Sequence, residues 1–488
     1  MNRLFLALVT VLLISSAAFA DDGSLGKRVD KLEKALAAQA EIIKRQEAVI
    51  QSLQQGLKPE FKSELKDDKA ALINSRLLAE GKDRLVSRIV ASASGGVRGN
   101  NTGNAAGSTG FQSSPRSQSS MNPSISLNLD TLFYSTNLSD AEIESREIPG
   151  YRTLHEEAGS AHAHGEVKEG FNLRSAELAI SAPVDPYLKL YTKIPISETD
   201  IELEEAYFVT SFLPGGLQLK GGKFKSGFGR SNAFHRHAWD FVDTPLPYLA
   251  FFGEEGLIEK GVQVTYMPDL PIYTLLGFEL LQGDNEVLFG DGAEDGAHAY
   301  AAFVKVSKDF GVSSTVLAGL SVAGGETKTE SIEHGSEFAA DSTIYGAELT
   351  YKWRPSKKRS FKLQTEYLLR RQVGKYLEDA AVPGGVERLT RSQDGLYVQG
   401  LYQLGRWRLG ARYEILDVFE DDFIKDGIKQ KFGESPERIT GSLEFNPTEF
   451  TRLRLQYNHD EMARTGETNH ELYLQLILGI GAHGAHSF

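Results

Sequence analysis

Eleven histidines stand in this 488-residue chain, and most of them are gathered rather than scattered. His235 and His237 are one residue apart, with Asp240 and Asp243 close behind. Imidazole nitrogen and carboxylate oxygen together suit a borderline cation such as zinc. In an extended segment, residues i and i+2 point to one side, so both rings could face one ion. The same groups could instead hydrogen-bond their loop to a neighbouring wall. A second cluster holds His155, Glu156, Glu157, His162, His164 and Glu166, three His and three Glu within twelve residues. Flexible tracts of this kind bind zinc, copper or nickel loosely near neutral pH. A third pair, His483 and His486, lies close to the C-terminus.

The long basic side chains have their own spacing. In 406–415, Arg406, Arg408 and Arg412 alternate with Trp407, Leu409, Ala411 and Tyr413. Arg452 and Arg454 alternate with Leu453 and Leu455, and Lys362 and Arg370 share one parity in 361–370, opposite Phe361, Leu363, Tyr367 and Leu369. Near the end, Leu472, Leu474, Leu476, Leu478 and Ile480 fall on one face of a strand, with Glu471, Tyr473 and Gln475 on the other. Charge at every second position is foreign to a dry core. It suits strands with lipid on one side and a wet lumen on the other. Lys362, Arg370, Arg406, Arg408, Arg412, Arg452 and Arg454 are therefore expected to line a pore. Glu202, Glu204 and Glu205 would oppose them and set a transverse field, although 201–210 fits two strand registers.

The elements that position these residues follow from the same alternation. Sixteen strands are predicted between 122 and 480, near 122–134, 171–183, 187–196, 201–212, 217–225, 258–267, 272–283, 297–307, 312–323, 342–353, 360–372, 394–404, 406–416, 437–446, 451–459 and 469–480. Short turns such as Leu213–Gly216 and Leu404–Gly405 alternate with longer, more charged loops, the pattern of an outer-membrane barrel. An even count returns the C-terminus to the side of the chain's start. The connector 226–256 is long, aromatic and prolyl, too apolar for a solvated crown, so it is expected to fold into the lumen. The 359 residues of 122–480 are too few for 22 strands, and no plug-sized sequence precedes Asn122.

Upstream, 1–20 reads as a signal peptide: Arg3, an apolar run from Leu4 to Ile14, then Ala18-Phe-Ala20. Residues 21–58 hold a heptad seam through Leu25, Val29, Leu32, Leu36, Gln39, Ile43, Gln46, Ile50 and Leu53. A helix with one narrow apolar seam needs partner chains, so a coiled-coil arm and a homo-oligomer, with a trimer leading, are expected. A helical segment and a Gly/Ser/Asn-rich linker fill 59–121, and the barrel takes 122–488.

Composition excludes several classes. Net charge is −13, against a nucleic-acid binder, and the chain has no cysteine, so neither disulfide nor thiolate metal site can form. Mean hydropathy is −0.29, and no internal apolar run approaches the ~20 residues of a membrane helix. No nucleotide loop, serine elbow or nucleophile–base pair is found, which predicts no enzyme and no required cofactor.

The segment His235–Leu246, the following Phe251–Gly256 and the closing Gly481-Ala-His-Gly-Ala-His486 resemble a family of Gram-negative outer-membrane proteins labelled zinc-regulated TonB-dependent receptors. A coiled-coil arm before sixteen strands is also similar to phosphate-selective porins. The resemblance implies expression under zinc limitation and passage of zinc through the outer membrane. The sequence departs from it in lacking a plug and a clear TonB-binding box. The expectation is thus an all-β transmembrane barrel of about 16 antiparallel strands behind an α-helical coiled coil. It would be a porin-like channel admitting divalent metal, zinc being the transported or bound ion. Expected partners are outer-membrane lipid, further copies of the chain, barrel-assembly machinery reading Phe488, and peptidoglycan or another periplasmic partner of the arm. Two alternatives stand beside it: a general or anion-selective porin, and a cell-envelope tether.

Overall fold

The computed structural model describes residues 123–139, 142–143, 167–198, 200–290, 296–329, 337–377, 386–429, 434–462 and 467–481. All of them belong to the unit Phe111–Phe488. The expected signal peptide, coiled coil, linker and two of the three histidine clusters (His155, His162 and His164; His483 and His486) lie outside the described residues.

The strands follow in chain order: β1 (Ser124–Ser135), β2 (Gly170–Pro183), β3 (Leu188–Ile196), β4 (Glu205–Thr210), β5 (Leu217–Lys225), β6 (Ile258–Tyr266), β7 (Tyr273–Leu281) and β8 (Ala299–Phe310). Then come β9 (Ser314–Thr329), β10 (Glu337–Ser356), β11 (Arg359–Leu377), β12 (Val386–Leu404), β13 (Trp407–Lys425), β14 (Ile428–Lys429), β15 (Glu437–Thr448), β16 (Thr451–Glu461) and β17 (Asn469–Gly481). All seventeen join one antiparallel sheet, and β14 is a two-residue extension beside β13, so sixteen strands form the wall. The wall closes where β1 pairs with β17, from Ser126↔Gly481 to Ser135↔Leu472. Closure leaves no edge with unpaired backbone groups, the condition a sheet must meet to stand in hydrocarbon.

The period-two pattern decides the facing. On β17, Leu472, Leu474 and Ile480 point out and are 41%, 52% and 65% exposed, whereas Glu471, Tyr473 and Gln475 point in and are 8% exposed or less. Trp407, Leu409 and Tyr413 point out of β13 while Arg412 and Glu414 point in. Tyr187, Phe212, Tyr266, Phe310, Trp407 and Phe450 are exposed at the short-turn end. Phe171, Tyr300 and Tyr345 form a second outward band roughly ten to twelve residues along their strands, matching the ~25 Å apolar height of a tilted barrel with two aromatic girdles.

At one end the connectors are short, two residues at 357–358 and 405–406 and six at 211–216 and 267–272. At the other end they are long. Two boundaries depart from the sequence expectation. β10–β13 run 19 to 20 residues, beyond the apolar band. Their outer ends mix charged residues such as Arg371, Lys375, Arg388 and Asp421 with isolated apolar ones such as Phe338 and Phe419, so no lipid-facing period marks them. β4 starts only at Glu205, with a single bridge, Ile196↔Ile201, before it. Breaking the ladder there turns both Glu204 and Glu205 inward, 6% and 4% exposed.

Candidate functional site

The connector 226–257 between β5 and β6 enters the barrel. Its helix α1 (Leu246–Phe252) begins with Pro247 in its first turn and stops at Gly253, whose φ of 82° suits glycine at a helix end. All seven residues of α1 are buried. They pack with Phe228 of the same connector, with Phe224, Leu281, Ile344, Leu368 and Leu416 from the wall, and with a second helix, α2 (Glu286–Phe289). This places an apolar core inside the barrel, with each buried Leu or Phe contributing about 1.5–3 kcal/mol.

Polar anchors hold the start of the connector. Asn232 bridges its ends, donating to Ser226 O and Leu257 O and accepting from Leu257 N. Glu366 of β11 accepts from Arg230 N at 2.6 Å, Ser231 N at 2.8 Å and Tyr248 Oη at 2.7 Å, and from Tyr397 Oη. Gly229 between them has a φ of 60°, and a Cβ there would meet Tyr248 Oη and Glu366 Oε2, so only glycine lets the chain turn this close to the carboxylate.

Further along, the loop crosses from an acidic wall to a basic one. His235 Nδ1 lies 3.1 Å from Glu204 Oε1, and its Nε2 lies 3.0 Å from Glu205 Oε2. Two ring nitrogens facing two carboxylates are both satisfied only by the doubly protonated ring. Burial pushes the His235 pKa down, but Glu204 and Glu205 outweigh it and raise it above the usual value. His237 donates from Nδ1 to Glu177 Oε2 at 3.1 Å. Here burial wins over Glu177, and the ring is shifted toward the neutral form. The two imidazoles stack, their centroids 6.1 Å apart and their planes within 5° of parallel.

Beyond the 3-10 turn Arg236–Ala238 the sign reverses. Asp240 pairs with Lys362 of β11 and Arg408 of β13 and accepts from Gln399 at 3.1 Å. Asp243 pairs with Arg412 at 2.7 Å and Arg438 at 3.0 Å, and accepts from Gln456 and Asn458. Burial alone would raise both acids; the surrounding cations hold both well below the usual carboxylate range. Arg452 and Arg454 of β16 donate to loop carbonyls at His237 and Trp239, and Arg454 also pairs with Glu444 at 2.8 Å.

The predicted residues therefore sort by wall. His235 and His237 meet carboxylates, whereas Asp240 sits among cations and is directed away from both rings' partners. Lys362, Arg370, Arg408, Arg412, Arg452 and Arg454 face inward; Arg406 lies in the turn between β12 and β13. Arg370 is 1% exposed and stacks its guanidinium 5.0 Å from the Phe251 ring. Glu177, Glu366, Glu414, Glu444 and Arg438 complete the network and were not singled out by motif. Their signal was strand parity: Glu366 shares a face with Lys362 and Gln364.

No family model matches the chain, and the zinc-regulated TonB-dependent receptor label finds no support in the comparisons with known proteins. Among solved structures, a loop L8 deletion mutant of OmpT, an outer membrane protein of Vibrio cholerae, is similar with a TM-score of 0.46 and 13% identity, covering 74% of this chain and 100% of that one. The anion-selective porin from Comamonas acidovorans is similar with a TM-score of 0.46 and 11% identity, over 74% of this chain. The outer membrane channel DcaP of Acinetobacter baumannii is similar with a TM-score of 0.44 and 13% identity, covering 74% of this chain and 97% of that one. An uncharacterized protein of Aquifex aeolicus (strain VF5) is 42% identical over 403 residues, 78% of this chain and 82% of the relative. At that identity and coverage, the chain belongs to the same family as this Aquifex aeolicus protein.

Proposed function

We propose that the chain is a porin-like channel of the outer membrane whose lumen is narrowed by residues 226–257. One observation carries this reading: a closed wall with an apolar exterior surrounds a charged interior, and the connector 226–257 crosses that interior from Glu204 and Glu205 to Arg408 and Arg412. The short turns then face the periplasm and the long loops the outside. The arm at 21–58 would be periplasmic and join copies of the chain, with a trimer as the leading assembly. The test is single-channel recording of the refolded full chain in a planar bilayer. Discrete steps are expected. A chain that stays monodisperse without detergent and ignores liposomes would sink the proposal.

A narrower reading, for zinc, has one observation in its favour. Glu177, Glu204 and His235 each offer a ligand atom, all within 4.8 Å of one another. Glu177 Oε1 is buried without a hydrogen-bond partner among the described residues. Zinc would replace the proton on one His235 nitrogen. Asp240, claimed by Lys362 and Arg408, drops out of the ligand set. Calorimetric titration of zinc into the full chain decides it. Micromolar binding lost in Glu177→Gln supports the site, and no heat of binding in the wild type removes it.

A further inference from the structure

Most lumenal cations at the level of the loop have a carboxylate: Lys193 has Glu205 at 3.3 Å, Lys225 has Glu204 at 3.5 Å, and Lys305 has Glu348 at 3.3 Å. Below the loop, toward the short turns, β3–β5 depart from this rule. Lys189 is in register with Val209, and Val209 with Lys220, so two lysines flank a valine in one row of the lumenal face. The next row holds Tyr191, Tyr207 and Gly222. The two tyrosine rings stack at 5.2 Å and 18°. Lys189 Nζ lies 4.6 Å from the Tyr191 centroid, and Lys220 Nζ lies 5.1 Å from that of Tyr207.

These ring faces hold the ammonium groups without cancelling their charge. Neither lysine and neither phenol has a hydrogen bond or ion pair among the described residues. The carboxylates nearest in charge to Lys220 are Glu279 and Glu205. Glu279 is taken by Ser226, Gly227 and Gln263, and Glu205 by His235 and Lys193. The half-buried patch thus offers two ammonium groups and two phenols with no carboxylate assigned to them. Its two cations are rooted two strand spacings apart, ~9–10 Å, across an apolar centre.

We infer that this patch binds an organic dianion: two anionic groups, carboxylates for example, joined by a short apolar spacer that lies over Val209 between Lys189 and Lys220. The inference rests on the porin-like reading and names a solute class for it. A dianion leaving the constriction would meet charge on both ends, hydroxyl donors alongside and an apolar floor. A monoanion engages only one end. An inorganic oxyanion brings no apolar surface to lie over Val209 between the two lysines.

The experiment adds succinate, acetate or inorganic phosphate to the short-turn side of a bilayer holding the full chain in potassium chloride. Succinate is expected to reduce the chloride current at least tenfold more effectively than acetate or phosphate. Lys189→Gln with Lys220→Gln is expected to lose that block tenfold or more, and Lys189→Arg with Lys220→Arg to keep it. Equal block by the three anions, or block indifferent to the glutamine pair, overturns the inference while leaving a channel. Calorimetric titration of succinate into the detergent-solubilised chain reads the site without any current. Binding there that the glutamine pair abolishes supports the site even if no conductance is found, in which case the channel reading alone fails. Absence of binding in the wild type overturns the site. Heat-modifiable gel migration identifies variants that have formed a barrel, and Val209→Asp, which sets a carboxylate between the lysines, supplies a second variant that should lose binding.

Discussion

The two ends of the inward loop are tied by opposite chemistry. At the β2–β4 wall the loop brings imidazoles to carboxylates, His235 to Glu204 and Glu205, His237 to Glu177. At the β11–β16 wall it brings carboxylates to guanidinium and ammonium groups, Asp240 to Lys362 and Arg408, Asp243 to Arg412 and Arg438. The connector is thus polarised against the field of the barrel, and its charges cancel much of what opposed bare walls would create. The difference lies in titration. Arginine and a deeply depressed aspartate keep their charges through the physiological range, whereas an imidazole loses its proton within reach of it. One anchor is permanent and the other is conditional.

Breaking the permanent anchor should cost most. Asp243→Asn leaves Arg412 and Arg438 short of a partner in a buried site, an effect of about 3–5 kcal/mol. Tryptophan fluorescence, from Trp239 in the loop and Trp353 and Trp407 in the wall, would report it as a lower midpoint of guanidinium unfolding in detergent. Glu366→Gln comes next: a neutral amide replaces a carboxylate serving two backbone amides and two phenols. About 1.5–3 kcal/mol is expected per charge-assisted bond weakened, read by the same unfolding curve.

His235→Gln should do less at low pH than the aspartate substitution does, and its effect should depend on pH. The His235 pKa is raised on folding, so the anchor's contribution is full below the unfolded value of about 6.5 and is lost as pH rises through the folded value. For Asp240 and Asp243 the shift is downward, so their contribution is present above about 3.9 and fades only as pH falls below it. Protease cleavage of the 226–257 segment should therefore rise on the alkaline side in the wild type and be flat there in His235→Gln. Equal alkaline loosening in both would remove the distinction between the anchors. The smallest effect is expected from Arg452→Gln, whose side chain is a quarter exposed and shares Glu444 with Arg454; about 0–1 kcal/mol should be lost.

The sequence made the wall legible because lipid and water impose a period of two, and β15–β17 carry it without interruption. It left the outer halves of β10–β13 obscure, since these strands run on past the stretch where apolar and polar residues alternate. The inward loop was legible from its aromatic and prolyl content, and His235 and His237 from their spacing. Their partners were hidden, because an ion pair such as Asp243–Arg412 joins residues far apart in the chain and local pattern does not encode it. That is why Asp240 read as a metal ligand: four residues are enough to suggest a cluster with His237, but not to reveal Lys362 and Arg408 between them and an ion.

The central claim, that residues 226–257 narrow a water-filled barrel and are held across it by charge, is tested most directly by comparing single-channel steps of the wild type with those of Asp240→Asn combined with Asp243→Asn. The account predicts resolvable steps in the wild type and larger, noisier ones once the basic wall has released the loop. Steps of unchanged size in a variant that still forms a heat-modifiable barrel would contradict it.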